Sequence, residues 1–157
     1  METIQIQQIE NKPLASLSDR LAASLIDAFI AMVIVLVPFF IIFGFEGFTK
    51  LQLHYGFSFT VVMSIIGQCI YLLLHGRLLY KYGQTIGKRY MGIKITDLEN
   101  NLPPFTTSYV YRFLFISLIA LLPVVGSIFY FIDVLFIFRG NRRCIHDLIA
   151  VTKVIEA

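Results

Sequence analysis

Residues 21–45 read LAASLIDAFIAMVIVLVPFFIIFGF, with Ser24 and Asp27 the only clearly polar members. A bilayer core of roughly 30 Å needs about 20 apolar residues as a helix, so this run is long enough to cross one. A second run, 57–74, carries no charge and extends toward Tyr80. A third, 113–138, holds one charge, Asp133. These runs are too long for barrel strands and lack their alternation. The composition of the whole chain agrees. Of 157 residues, 57% are apolar and 15% charged, against roughly 45–50% and about 25% in an ordinary soluble domain. That balance excludes disorder, a coiled coil and a disulfide-stapled secreted module. Thirteen Lys/Arg against ten Asp/Glu leave +3, too weak an excess to point to nucleic acid.

The third run is enough for one tilted helix and short for two full crossings. Near its middle stands LLPVVGS, residues 121–127. Pro removes a helix donor and Gly adds freedom, so a break belongs there. Charge asymmetry bears on the choice. Arg77, Lys81, Lys88, Arg89, Lys94 and Arg112 cluster after the second run, and Arg139, Arg142, Arg143 and Lys153 after the third. The positive-inside rule puts both regions in the cytoplasm. The reading is an all-α, polytopic membrane domain over 1–157. Four helices lie at about 18–45, 57–80, 108–122 and 126–139, the last two a short hairpin. Loop 81–107, tail 140–157 and both termini are then cytoplasmic. A single crossing by the third run is the alternative.

The first twenty residues are polar and acidic-leaning, without the basic start and short apolar core of a cleaved signal, so this segment is expected to be retained. Cys69 and Cys144 read as free thiols, and no Cys/His set has zinc spacing, so neither metal nor cofactor is expected. Residues 83–97, GQTIGKRYMGIKITD, match neither a dinucleotide fingerprint nor a phosphate loop. They read as a surface connector or as an amphipathic piece on the inner leaflet through Lys88, Arg89 and Tyr90. Ile93–Thr96 alternates like a short strand.

A charge at the bilayer centre costs at least about 2.5–3.5 kcal/mol, so each polar residue in a span needs a reason. Arg20 and Asp27 are seven residues apart, two helical turns on one face. Ser24, Ala23 and Ala31 keep that face polar or small, which lets another helix approach. Ser64, Gln68, Tyr71 and His75 make a stripe on the second helix. The stripe is expected to meet the first helix and give Asp27 hydrogen-bonding company, or to serve as interhelical glue. His75 near the inner surface reads as an interfacial residue or a proton relay. Asp133 and Arg112 fall at a depth similar to Arg20 and Asp27, so the four form one candidate cluster, for charge movement or for structure. In the tail, His146 and Asp147 are neighbours, but adjacent helix residues point about 100° apart. HExxH and GxSxG are missing and no nucleophile has a placed base, so no enzyme is expected.

Arg20 opening a helix that carries Asp27, the loop GQTIGKRYMGIKI, and RRCIHDLIAVTKVI at 142–155 occur in this order. Together they resemble the RDD family of small bacterial membrane proteins, named for one arginine and two aspartates. The resemblance covers about residues 14–155. By position it implies that Arg20 and Asp27 are the first two of those residues, with Asp147 the third and Asp133 its rival. Gly83, Gln84, Gly87 and Lys88 match the glycine-rich loop. The resemblance implies a multi-pass protein of the bacterial inner membrane whose activity is unassigned, with transport of ions or small ligands suspected. The expected site set is therefore Arg20, Asp27, Arg112, Asp133, His146 and Asp147. The alternative is a membrane scaffold or accessory subunit of a larger complex. Besides the bilayer, the expected partners are further copies or other membrane proteins, and a cation or small ligand.

Overall fold

The computed structural model describes residues 12–122 and 124–157. Residues 1–11 and Pro123 lie outside the described residues, and with them most of the polar N-terminal segment and the proline of the expected break.

Helix α1 covers Leu17–Tyr55, ten residues beyond the expected end at 45. Ser16 caps it by accepting from the Asp19 amide at 3.1 Å. Gly44 interrupts it with φ +64°, a left-handed value that glycine adopts without steric cost. Beyond that break Phe48 turns back onto Phe39 and Phe40, with ring centroids 5.8 and 5.7 Å apart. Gly56 reverses the chain into α2, Phe57–Tyr82, and Phe59 completes the aromatic cluster 5.6 Å from Phe48. Gly83, in the left-handed region, closes α2.

The third run is two shorter elements, as the break at 121–127 leads one to expect. A π-helix, Thr107–Leu114, continues into α4, Phe115–Ala120. After a turn, α5 covers Val125–Leu135 and ends in a 3-10 turn, Phe136–Phe138. A Cβ on Gly126 would lie 2.6 Å from the Ile119 carbonyl oxygen, so only glycine lets α5 return this close to α4.

The expected loop and tail are more structured than a connector. The loop holds α3, Ile86–Tyr90, and strand β1, Ile93–Asp97. The tail holds α6, Ile145–Ile149, and strand β2, Thr152–Glu156. β1 and β2 pair antiparallel from Ile93↔Glu156 to Asp97↔Thr152. On the other edge of β2, Leu14 bridges Ile155, and the Ala15 amide donates to Val154 O at 3.0 Å. The all-α reading is corrected here: the chain is mostly helical, with a small sheet at one end. Backbone N–H and C=O groups at this end need partners, and strand pairing supplies them.

The tightly packed core sits at the sheet end, in Ala15, Ala23, Leu79, Ile93, Ile95 and Val154. By contrast, the most apolar windows of α1 and α2 contain no buried residue. Leu25, Phe29, Ile41 and Leu73 point outward. Both helices are long and apolar enough to cross a membrane, and Thr107–Ala120 and Val125–Phe138 are shorter apolar helices.

Candidate functional site

Three aspartates organise the region between the helices and the sheet. Asp147, on α6, is fully buried and ion-paired to both Arg20 of α1 and Arg112 of the π-helix. Its Oδ2 also accepts from the Cys144 amide at 3.1 Å, capping its own short helix. Arg20 further donates to the Arg142 carbonyl. Arg112 donates to Thr152 Oγ1 of β2 at 2.5 Å. Two cations from different helices therefore converge on one carboxylate. Burial would raise that carboxyl, but Arg112, His146 and Arg20 hold it well below the usual carboxylate range.

Asp27 does a different job. Its Oδ2 accepts from Thr85 Oγ1 at 2.5 Å and its Oδ1 from the Gly87 amide at 2.7 Å. The carboxylate in α1 thus satisfies the first turn of α3, where orphan amides need an acceptor. His75 supports the same turn. Its Nδ1 accepts from the Ile86 amide at 3.2 Å, and its Nε2 stands 4.0 Å from Asp27. The small face of α1 is what α3 docks on. A Cβ on Gly87 would collide with the Ala23 carbonyl oxygen, so glycine is required for this approach.

Asp133, on α5, pairs with α6. It accepts from the His146 amide at 2.9 Å and contacts His146 Nδ1 at 2.7 Å. His146 Nε2 lies 3.4 Å from Asp147, so the ring stands between the two aspartates. Neighbours in sequence thus reach one cluster, although the helical angle alone separates them. Asp133, Cys144 and His146 each offer a metal-ligating atom within 4.8 Å of the others, which sequence spacing did not reveal. The same three residues take part in hydrogen bonds. Asp133 holds His146, Arg20 stands 3.8 Å from the Cys144 sulfur, and burial, reinforced by Asp147, pushes that thiol up to about 12.

These groups border a cavity of about 590 Å³. Its charged and polar wall includes Arg20, Asp27, Lys88, Arg112, Asp133 and His146, and most of the rest is apolar. Lys88, from the TIGK turn of α3, is only 8% exposed. Among the described residues none gives its amine a hydrogen bond or ion pair. Burial, followed by the Arg112 charge, pushes that amine down to about 8 against the pull of Asp27.

The expected four-residue cluster therefore divides. Arg20 and Arg112 meet Asp147, Asp133 meets His146, and Asp27 turns to α3 rather than to an arginine. Of the expected stripe, His75 reaches the Asp27 site, while Gln68 accepts from Tyr109 at 3.1 Å. Tyr71 packs on His75 and Phe113, and Ser64 is half-buried on α2 without joining the cluster. Thr85, Lys88 and Thr152 were not among the candidate site residues. Thr85 as a helix N-cap was the available signal for the first of them.

Comparison with known proteins gives a family but no described activity. An uncharacterized protein of Haemophilus influenzae is 27% identical over 105 residues, 64% of this chain. The aligned part spans 63% of that relative's length. No solved structure matches the chain. The RDD family model matches residues 14–151, a stretch that includes Arg20, Asp27, the glycine-containing turn and Asp147. The chain belongs to the RDD family of small bacterial membrane proteins.

Proposed function

We propose that this protein is a four-span module of the bacterial inner membrane that binds ions or small ligands in its charged cavity and moves them across the bilayer. The carrying observation is the cavity itself, lined by acids, bases and a buried amine that has no partner among the described residues, among helices apolar enough for lipid. Ionisable groups at membrane depth mark ligand pathways or structural pairs, and here both kinds of use occur. The four-span reading draws support from the sheet. Leu14, β1 and β2 are hydrogen-bonded to one another, so they lie on one side of the bilayer. An even number of crossings then separates each from the next. The basic residues of this end support a cytoplasmic side for it by the positive-inside rule. A homo-oligomer would thicken the thin wall that four helices make. No catalytic role is assigned to His146 or Asp147.

The test is flux in proteoliposomes. Asp133→Asn is expected to abolish uptake of the transported ion while circular dichroism stays native. Wild-type uptake of sodium, potassium, protons and small organic anions that never exceeds empty vesicles would sink the reading. One observation favours a scaffold instead: Asp27 and Asp147 are spent on holding α3 and α6 in place. That reading predicts a partner chain that co-purifies in mild detergent.

A further inference from the structure

Donors and acceptors around the cavity do not balance. Both oxygens of Asp27 accept from Thr85 and Gly87, and both oxygens of Asp133 are taken by His146. Asp147 is held between two arginines. On the donor side, Lys88 has no acceptor for its amine among the described residues, and the Nε of Arg112 is buried without one. Both side chains line the cavity. An added cation would compete with three positive residues for carboxylates already in use. An anionic acceptor would satisfy donors that the protein leaves unmatched, and such charge-assisted bonds are the strong ones.

The remaining wall decides what carries that anion. Leu21, Leu25, Phe113, Ile116, Val134 and Ile137 line it. Leu25 is 71% exposed and Tyr130 57%, so the cavity opens at α1 and α5 on surfaces that face outward. α1 and α5 both contribute to the wall but are not a closely packed pair, whereas α1 packs on α2 and α4 on α5. A free inorganic anion would reach the donors and leave this apolar wall bare. An amphiphile matches both halves.

We propose that the cavity binds an anionic lipid, with its phosphate or carboxylate head against Lys88 and Arg112 and its acyl chain leaving between α1 and α5. The inference rests on the reading of the cavity as a ligand chamber, and it concerns binding rather than flux.

The experiment uses the full chain in neutral detergent and follows its unfolding midpoint with added lipid. Dioctanoyl phosphatidylglycerol should give a saturable rise, because a ligand of the folded state stabilises by mass action. Dioctanoylglycerol, with the same chains and no phosphate, should bind at least about tenfold more weakly, the loss of one charge-assisted bond. Lys88→Met should weaken phosphatidylglycerol by about the same factor, and Lys88→Arg should restore it. Ile116→Trp, which fills the wall, should weaken it too and serves if Lys88→Met does not fold. Equal responses to the two lipids, or wild-type affinity in the foldable variants, overturns the inference. An equal response to inorganic phosphate overturns the lipid, because the site then takes a free anion. A dimer insensitive to phosphatidylglycerol and broken by Ile116→Trp assigns the opening to a second copy, and overturns it as well. Flux without phosphatidylglycerol binding overturns this inference and keeps the transport reading. Binding without flux does the reverse.

Discussion

The sheet end and the apolar shafts of the helices are held together by different physics. At the sheet end Ile93, Ile95 and Val154 are buried, Asp147 joins two arginines, and α3 sits on α1 without a Cβ between them. Along the shafts Leu25, Ile41 and Leu73 face outward. Lipid tails solvate such side chains as well as neighbouring helices do, so burying them gains little in a bilayer. The contrast teaches where this small membrane protein keeps its specificity. Its apolar helices supply insertion, and its compact polar end fixes how they are joined.

The largest test of that contrast removes Asp147. Asp147→Ala leaves Arg20 and Arg112 buried without their shared counter-charge, and breaking a buried pair in this way costs about 3–5 kcal/mol. The outward-facing comparison is Leu73→Ala, at a side chain 84% exposed, for which about 0.5 kcal/mol or less is expected. Thermal unfolding in one detergent ranks the two. Equal losses would show that the shafts are packed after all.

How much of this division is legible in the sequence follows from the range of each interaction. The helical runs are legible because apolar length is a local property, and the broken third run announces itself through its central turn residues. Ile93–Thr96 shows its alternation, but its partner lies in the tail and β2 reads TKVIE, with too little alternation to advertise pairing. Arg20 and Asp27 do share a face, yet Asp27 accepts from the backbone of Gly87. Every residue but proline has such an N–H, so no residue type betrays this partner. Which aspartate Arg20 meets likewise depends on the path of the tail, and the one it reaches is Asp147.

A smaller effect is expected at Gly87. In Gly87→Ala the new methyl would collide with the Ala23 carbonyl oxygen, so α3 must move off α1 and loosen its bonds to Asp27. Overpacking of this kind costs about 1–3 kcal/mol. Gly76, in α2, has open space where a Cβ would stand, so Gly76→Ala should be neutral or stabilising by up to about 1 kcal/mol from helix propensity. Unfolding midpoints for the pair, with hydrogen exchange at α3, check both. Two neutral variants would mean that the docking of α3 is not close-packed.

The smallest effect is a pH dependence carried by Lys88. Its folded amine titrates at about 8, against about 10.4 in an unfolded chain. Between those values the unfolded state holds a proton that the folded state has released. Stability therefore rises with pH from about 8, by less than about 1.4 kcal/mol per unit. Cys144 opposes this from about 8.5 upward. Its folded thiol, at about 12, keeps the proton that the unfolded thiol loses. The rise should thus be confined to a narrow window near pH 8 and then flatten. Lys88→Met should remove the rise and stabilise the protein below pH 8, because an apolar side chain has no charge to bury. Cys144→Ala should let the rise continue above pH 9. Midpoints measured every half unit from pH 7 to 9.5 decide it. A wild-type profile that Lys88→Met leaves unchanged would mean that the amine reaches water, and the buried side of the contrast would lose one of its charges.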